Sequence, residues 1–227
     1  MEVKTVTTFV AKRRRYTFET IVILLIISFG ILTFLAKAIP YFVFDLKITR
    51  AIQNFHPSWF DFLMKGITSL GDEIEAFTIL AVFIFAFVTF KKSKEAIILS
   101  LSTIGVIILS IVLKTLVARP RPDPTLVLQI GEYGKSDSFP SGHVLYAIGL
   151  YGFLLFLVFT KLKKGFLRNL LIFALVALLI LMGISRIYLG AHWFSDTLGS
   201  YLIGSVWLFL MVWIYKRLVK PKAPAAS

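Results

Sequence analysis

Six apolar runs, each close to a bilayer's width, limit what this chain can fold into. They are Thr20 to Ala38, Glu75 to Phe90, Ala96 to Ala118, His143 to Thr160, Asn169 to Ser185 and Thr197 to Tyr215. At about 1.5 Å per helical residue, some twenty residues cover the roughly 30 Å hydrocarbon core. The second run lies at the short end of that range. Mean hydropathy is +0.85 and 58% of the 227 residues are hydrophobic, more apolar than soluble domains. The expected fold class is therefore all-α, a six-transmembrane-helix bundle over residues 20–215. It lies between a basic stretch, 1–19, and a tail, 216–227, that carries Lys216, Arg217, Lys220 and Lys222 and ends in a polar Pro/Ala stretch expected to be disordered. Ala36-Lys37-Ala38 has the spacing of a signal-peptide cleavage site, but the run before it exceeds the roughly 7–15 residues usual for such a segment.

The net charge of +13 raises the question of nucleic acid. No basic module that reads DNA or RNA is recognisable, and the charges follow a membrane pattern instead. With the N-terminus inside, an alternating six-span chain also places 91–95, 161–168 and 216–227 inside. Together with 1–19 these segments hold 16 of the 25 Lys and Arg, as the positive-inside bias requires. The expected localisation is a multi-pass cell-membrane protein with both termini cytoplasmic. The chain has no cysteine, which removes disulfides and thiolate metal sites.

Residues 40–72 do not form a span. Apolar positions at helical spacing lie on either side of Pro57, mixed with Asp45, Lys47, Arg50, Asp61 and Lys65. Two short interfacial helices are expected. Either they simply pack on the bundle, or they form a shelf that touches a substrate's lipid tail. His56 reads as a surface residue.

Two polar islands interrupt the apolar pattern, and the same parity puts both on the outer face. The first runs from Lys114 to His143. Lys114 lies in the last turn of a helix, and Arg121 seven residues on is stiffened by Pro120 and Pro122. A guanidinium fork and an ammonium suit phosphate oxygens. Taken alone, though, such cations could merely snorkel to the interface. Pro140-Ser141-Gly142-His143 then opens a helix. Ser141 is a suitable N-cap, Gly142 allows close approach to a ligand, and the helix N-terminus attracts anions.

The second island runs from Ser185 to Asp196 and carries Arg186, His192 and Asp196. At a spacing of four, His192 and Asp196 would share a helical face. A carboxylate on one ring nitrogen leaves the other free as base or nucleophile. Two of the chain's three histidines lie in these islands. Three cations, a helix N-terminus and a His with its own Asp together describe a phosphate-handling site.

Lys114–Arg121–Pro122, Pro140–Ser141–Gly142–His143 and Ser185–Arg186 with His192 and Asp196 resemble, position by position, the three-part signature of the type 2 phosphatidic acid phosphatase family. The similarity covers about residues 70–215. It implies a metal-independent lipid phosphatase without cofactor, in which His192 forms a phosphohistidine supported by Asp196. By the same resemblance His143 acts as acid and then base. Lys114, Arg121, Arg186 and the Ser141–Gly142 backbone hold the phosphoryl oxygens. Arg119 is an extra cation outside the signature.

The implied partner is a membrane lipid carrying phosphate at headgroup height. Polyprenyl pyrophosphate is preferred, ahead of phosphatidylglycerol phosphate, phosphatidic acid and lipid A phosphates. A phosphotransferase using the same histidine is a second possibility. A lipid transporter fits less well, because transporters tend to place charges near the bilayer midplane.

Overall fold

The computed structural model describes residues 2–131 and 137–219, with side chains from Tyr16 onward. The expected tail beyond Val219 lies outside the described residues. All regular structure among them is helical: α1 (Glu2–Ala38), α2 (Val43–Gln53), α3 (Ser58–Ser69), α4 (Glu73–Thr89), α5 (Ser93–Val117), α6 (Gly142–Ala147), a π-helical turn (Ile148–Gly152), α7 (Phe153–Lys161), α8 (Phe166–Tyr188) and α9 (Phe194–Val219). In lipid, helices keep every backbone polar group paired within the segment.

Five of these segments are long and apolar enough to cross a membrane: Tyr16–Ala38, Ser93–Val117, Gly142–Lys161, Phe166–Tyr188 and Phe194–Val219. The second of the six expected spans is the exception. It forms α4, packed on α5, but with 17 residues it is shorter than the others. The basic stretch before the first run is helical too, continuous with α1.

Large apolar side chains such as Phe34, Phe85, Phe166 and Phe173 point outward, while Ser102, Thr103 and Ser200 are buried. This is the arrangement expected where the surroundings are lipid rather than water. Within the bundle, small residues let helices approach closely. Ser102 Oγ donates to Gly149 O (2.7 Å) in the π-helical turn, where an added Cβ would meet Val106 at 2.6 Å. α1 lies along α9, and Phe29 stacks on Phe139 at 6.0 Å between ring centroids.

The basic connections gather at one end. There Lys94 Nζ donates to Leu218 O (2.7 Å), Tyr215 OH donates to Glu95 (2.6 Å), and Lys161 and Lys216 lie over the rings of Tyr215 and Phe156. The other end carries α2, α3 and both polar islands.

α2 and α3 pack on α8. Gln53 Nε2 donates to Leu128 O and Tyr188 O (2.6 and 2.8 Å), and Arg50 Nε donates to Leu126 O (3.1 Å). Phe55, Trp59 and Phe62 remain exposed on the outer side. His56 is not a plain surface residue. Its Nδ1 lies 2.6 Å from Tyr188 OH and 3.0 Å from Asp61. Tyr188 belongs to α8, 132 residues further along the chain, so no local pattern could reveal the contact.

Candidate active site

α5 stops where Ala118 takes a left-handed conformation (φ 53°), turning the chain into Arg119-Pro120-Arg121-Pro122. Lys114, one turn before that stop, donates from Nζ to the carbonyl of Asp137. Arg121 Nη1 donates to Ala191 O (2.8 Å), which ties the first island to the second. The first island closes on itself when Ser138 N–H donates to Arg119 O (2.8 Å). A cis peptide joins Phe139 to Pro140.

Ser141 occupies the position before α6, but its hydroxyl makes no cap bond. The expectation of a side-chain N-cap is thus corrected. The Oγ is buried and without a hydrogen-bond partner among the described residues. A buried hydroxyl left unmatched is costly, and a phosphoryl oxygen would satisfy it. At Gly142 the structure shows a packing reason for glycine. A Cβ there would lie 3.3 Å from Ser110 Oγ on α5. His143 Nε2 lies 2.8 Å from Asp72 Oδ1, at the start of α4.

α8 ends at Tyr188, and Arg186 in its last turn donates from Nη1 to Thr68 Oγ1 on α3. Its carbonyl accepts the N–H groups of Ala191 (3.0 Å) and His192 (3.2 Å). Gly190 makes this turn possible with φ +73°, and a Cβ would fall 2.2 Å from Leu128 O.

His192 lies in that turn and not on α9, which begins at Phe194. The helical-face expectation for His192 and Asp196 is therefore corrected. His192 Nδ1 and Asp196 Oδ2 are 3.7 Å apart, too far for a hydrogen bond. Ser138 stands between them. Its hydroxyl donates to Asp196 Oδ2 and lies 3.4 Å from His192 Nδ1. Asp196 Oδ2 also accepts the Trp193 N–H (2.8 Å), the backward half of a capping box.

Arg119 is not an extra cation for phosphate. It is buried, with Nη1 on Asp196 and Nη2 on Asp45 Oδ2 at 3.0 Å, while its Nε donates to Pro40 O (3.0 Å). Asp45 accepts in addition from Ser195 N–H (2.8 Å) and Ser195 Oγ (2.7 Å). Asp45 and Ser138 were not singled out from the sequence. A lone carboxylate on a helix face and a serine in a polar loop give no local signal.

Lys65, Thr68, Asp72, Arg121, His143 and Arg186 line an open cleft of about 450 Å³. His192 lies behind it, 1% exposed. Its positive neighbours are Arg121, Arg186 and Lys114, and the Asp196 carboxylate lies 3.7 Å from its Nδ1. Burial first, and then these positive groups, push the His192 imidazole well below its ordinary value of 6.5, so it is neutral at neutral pH. The structure thus brings Lys114, Arg121, His143, Arg186, His192 and Asp196 to one end of the bundle.

The sequence profile of the PAP2 superfamily matches residues 95–220. Phosphatidylglycerophosphatase B of Bacillus subtilis (strain 168) is 27% identical over 168 residues, covering 74% of this chain and 81% of that protein. Among solved structures, the first transmembrane PAP2 type phosphatidylglycerolphosphate phosphatase from Bacillus subtilis superposes with a TM-score of 0.72 at 25% identity. That match covers 87% of this chain and 98% of the other. Aquifex aeolicus LpxE gives a TM-score of 0.57 at 26% identity over 77% of this chain and 98% of its own. With a profile match over more than half its length, and membrane phosphatases of the same fold beside it, this multi-pass chain belongs to the PAP2 superfamily.

Proposed function

We propose that this protein hydrolyses a lipid phosphate ester through a phosphohistidine on His192. One observation carries the proposal: a buried, neutral histidine whose Nδ1 is turned to Ser138 and Asp196, with Arg121, Arg186 and Lys114 as its charged neighbours. Nε2 of His192 is then the attacking atom. Its lone pair bonds to phosphorus as the bond from phosphorus to the lipid oxygen breaks. His143 gives that oxygen a proton. Water next attacks phosphorus and passes a proton to His143, and the P–N bond breaks with its electron pair returning to Nε2. Lys114, Arg121, Arg186, the Ser141 hydroxyl and the Ser141–Gly142 backbone stabilise the charge on the phosphoryl oxygens. These cations supply what a metal would otherwise supply, so the reaction runs without one.

Phosphatidylglycerol phosphate is the first candidate substrate, because the similar Bacillus subtilis sequence and the similar Bacillus subtilis structure are both named for phosphatase action on that lipid. Polyprenyl pyrophosphate, preferred on sequence alone, becomes the second. For topology we propose six spans, with α4 as the short one, both termini cytoplasmic and the cleft outside. The gathering of Lys94, Lys161, Arg168 and Lys216 at the end away from the cleft supports this orientation.

The test is phosphate release by detergent-purified protein with a chelator present. The substrates are phosphatidylglycerol phosphate, polyprenyl pyrophosphate and phosphatidic acid, beside a His192→Ala control. Release that persists with the chelator and vanishes in the control is expected. Normal release by His192→Ala would sink the mechanism. Phosphate appearing on an added acceptor lipid instead of in water would make the protein a phosphotransferase.

A further inference from the structure

The turn between α3 and α4 lies outside the three motifs, yet it is fastened to the helix that carries His143. Tyr151 OH donates to Leu70 O (3.1 Å) and Tyr146 OH donates to Ala76 O (2.8 Å), one on each side of the turn. Between these two anchors lie Gly71 and Asp72. A Cβ on residue 71 would fall 2.9 Å from His143 Cδ2, so the ring seats against a glycine backbone. Asp72 Oδ1 then meets His143 Nε2 at 2.8 Å. Nδ1 of the same ring makes no hydrogen bond to a described residue. Asp72 and His143 both line the open cleft.

We propose that Asp72 is the positioning residue for His143: its carboxylate holds the Nε2–H, so Nδ1 is the nitrogen that exchanges protons with the lipid oxygen and with water. This inference rests on the lipid phosphatase reading above. In the first step the imidazolium gives its Nδ1 proton to the departing oxygen and keeps its Nε2 proton on Asp72. In the second step neutral Nδ1 takes a proton from the attacking water.

The charges around His143 make such a partner necessary. Arg186 from α8 and Arg121 from the loop after α5 are positive and oppose its imidazolium, and Lys65 from α3 lines the same cleft. His192 is a neutral neighbour. Among the described residues, Asp72 and Glu73 at the start of α4 are the acidic groups on the cleft. Asp72 stays ionised at neutral pH, because the hydrogen bond from His143 holds its carboxyl below the usual range. A carboxylate in contact with a histidine favours the protonated ring. Removing that charge leaves the protonated ring without the acceptor that holds it.

The experiment measures kcat and KM from about pH 5 to about pH 9 for wild type, Asp72→Asn, Asp72→Glu and, as a control away from the cleft, Glu75→Gln. It uses whichever of the three lipids the wild type turns over fastest. Asp72→Asn is expected to lower kcat about tenfold or more, with KM little changed. Its alkaline limb should move down by about one pH unit or more. Asp72→Glu should restore part of the rate, and Glu75→Gln should match wild type. A wild-type kcat and alkaline limb in Asp72→Asn would overturn the inference. So would a rate loss with an unmoved pH profile and a lowered unfolding temperature, which would make Asp72 merely structural. A wild type that releases no phosphate from any of the lipids would overturn the phosphatase reading itself.

Discussion

The two histidines of the cleft region are held in opposite ways. His192 is sealed: its side chain is 2% exposed, and beyond Ser138 lies a chain of charges in which Asp196, Arg119 and Asp45 are all fully buried. His143 is open: its side chain is 21% exposed and its partner Asp72 is 48% exposed. The difference matches the two chemical tasks proposed. A nucleophile must point one lone pair at phosphorus without wandering, and it must be unprotonated. A group that gives and takes protons needs contact with substrate and water. The sealed histidine is buttressed from α2, the loop after α5 and α9. The open one is buttressed by a single turn.

Removing Asp196 should show the largest asymmetry. Asp196→Asn is expected to lower kcat by about 10³-fold or more, as when the orienting carboxylate of a catalytic histidine is lost. The drop should exceed that of Asp72→Asn under the same assay; a smaller one would reverse the ranking of the two sites.

Arg119→Met tests the buried side through stability. It strands Asp45 and Asp196 without their cation, and breaking a buried pair costs about 3–5 kcal/mol. Unfolding in detergent should reveal the loss, whereas half-exposed Asp72→Asn should barely move the same transition.

A smaller effect is expected from Ser138→Ala, which removes one charge-assisted hydrogen bond worth about 1.5–3 kcal/mol. Steady-state kinetics should show a fall of about tenfold or more with KM nearly constant.

Acidification separates the sites again. His192 is held below its ordinary value mainly by burial. Below about pH 6.5 the unfolded chain takes up a proton that native His192 refuses, so stability falls with pH there and is unaffected above it. A pH series of unfolding temperatures should contain this slope in the wild type and lack it in His192→Gln. For activity, the nucleophile should stay competent at pH values where an ordinary histidine is already charged.

The smallest effect belongs outside the cleft. Tyr188→Phe unlinks His56 and Asp61 from α8 at a cost of about 1 kcal/mol, with kcat unchanged. A large rate loss would tie α2 and α3 to turnover, as the shelf alternative requires.

Five of the six expected spans and the three motifs were legible because each is written locally. Hydropathy over twenty residues marks a helix, and Lys114, Arg121, His143, Arg186, His192 and Asp196 stand out as polar residues among apolar ones. What lay hidden is long-range. Asp45 meets Ser195 across 150 positions, and Asp72 meets His143 across 71. Neither carboxylate has a distinctive neighbour in sequence. The spacing of His192 and Asp196 misled for a different reason. Four residues suggest one helical face, but α9 starts between the two, and Gly190 sets the turn before it. Arg119 was misjudged because an arginine two residues before Arg121 invites the role proposed for Arg121. Its burial decides otherwise.

The ion chain through Asp45 also carries a consequence for assembly. Asp45 is made early in synthesis, but the groups that neutralise and hydrogen-bond it, Arg119 and Ser195, emerge much later. An unpaired carboxylate has no favourable place in the interior, so α2 cannot be buried before Arg119 arrives, and its hydrogen bonds are complete only when Ser195 of the last helix follows. The segment that leaves the ribosome among the first is therefore locked among the last, and a chain stopped before Ser195 would leave its own latch undone.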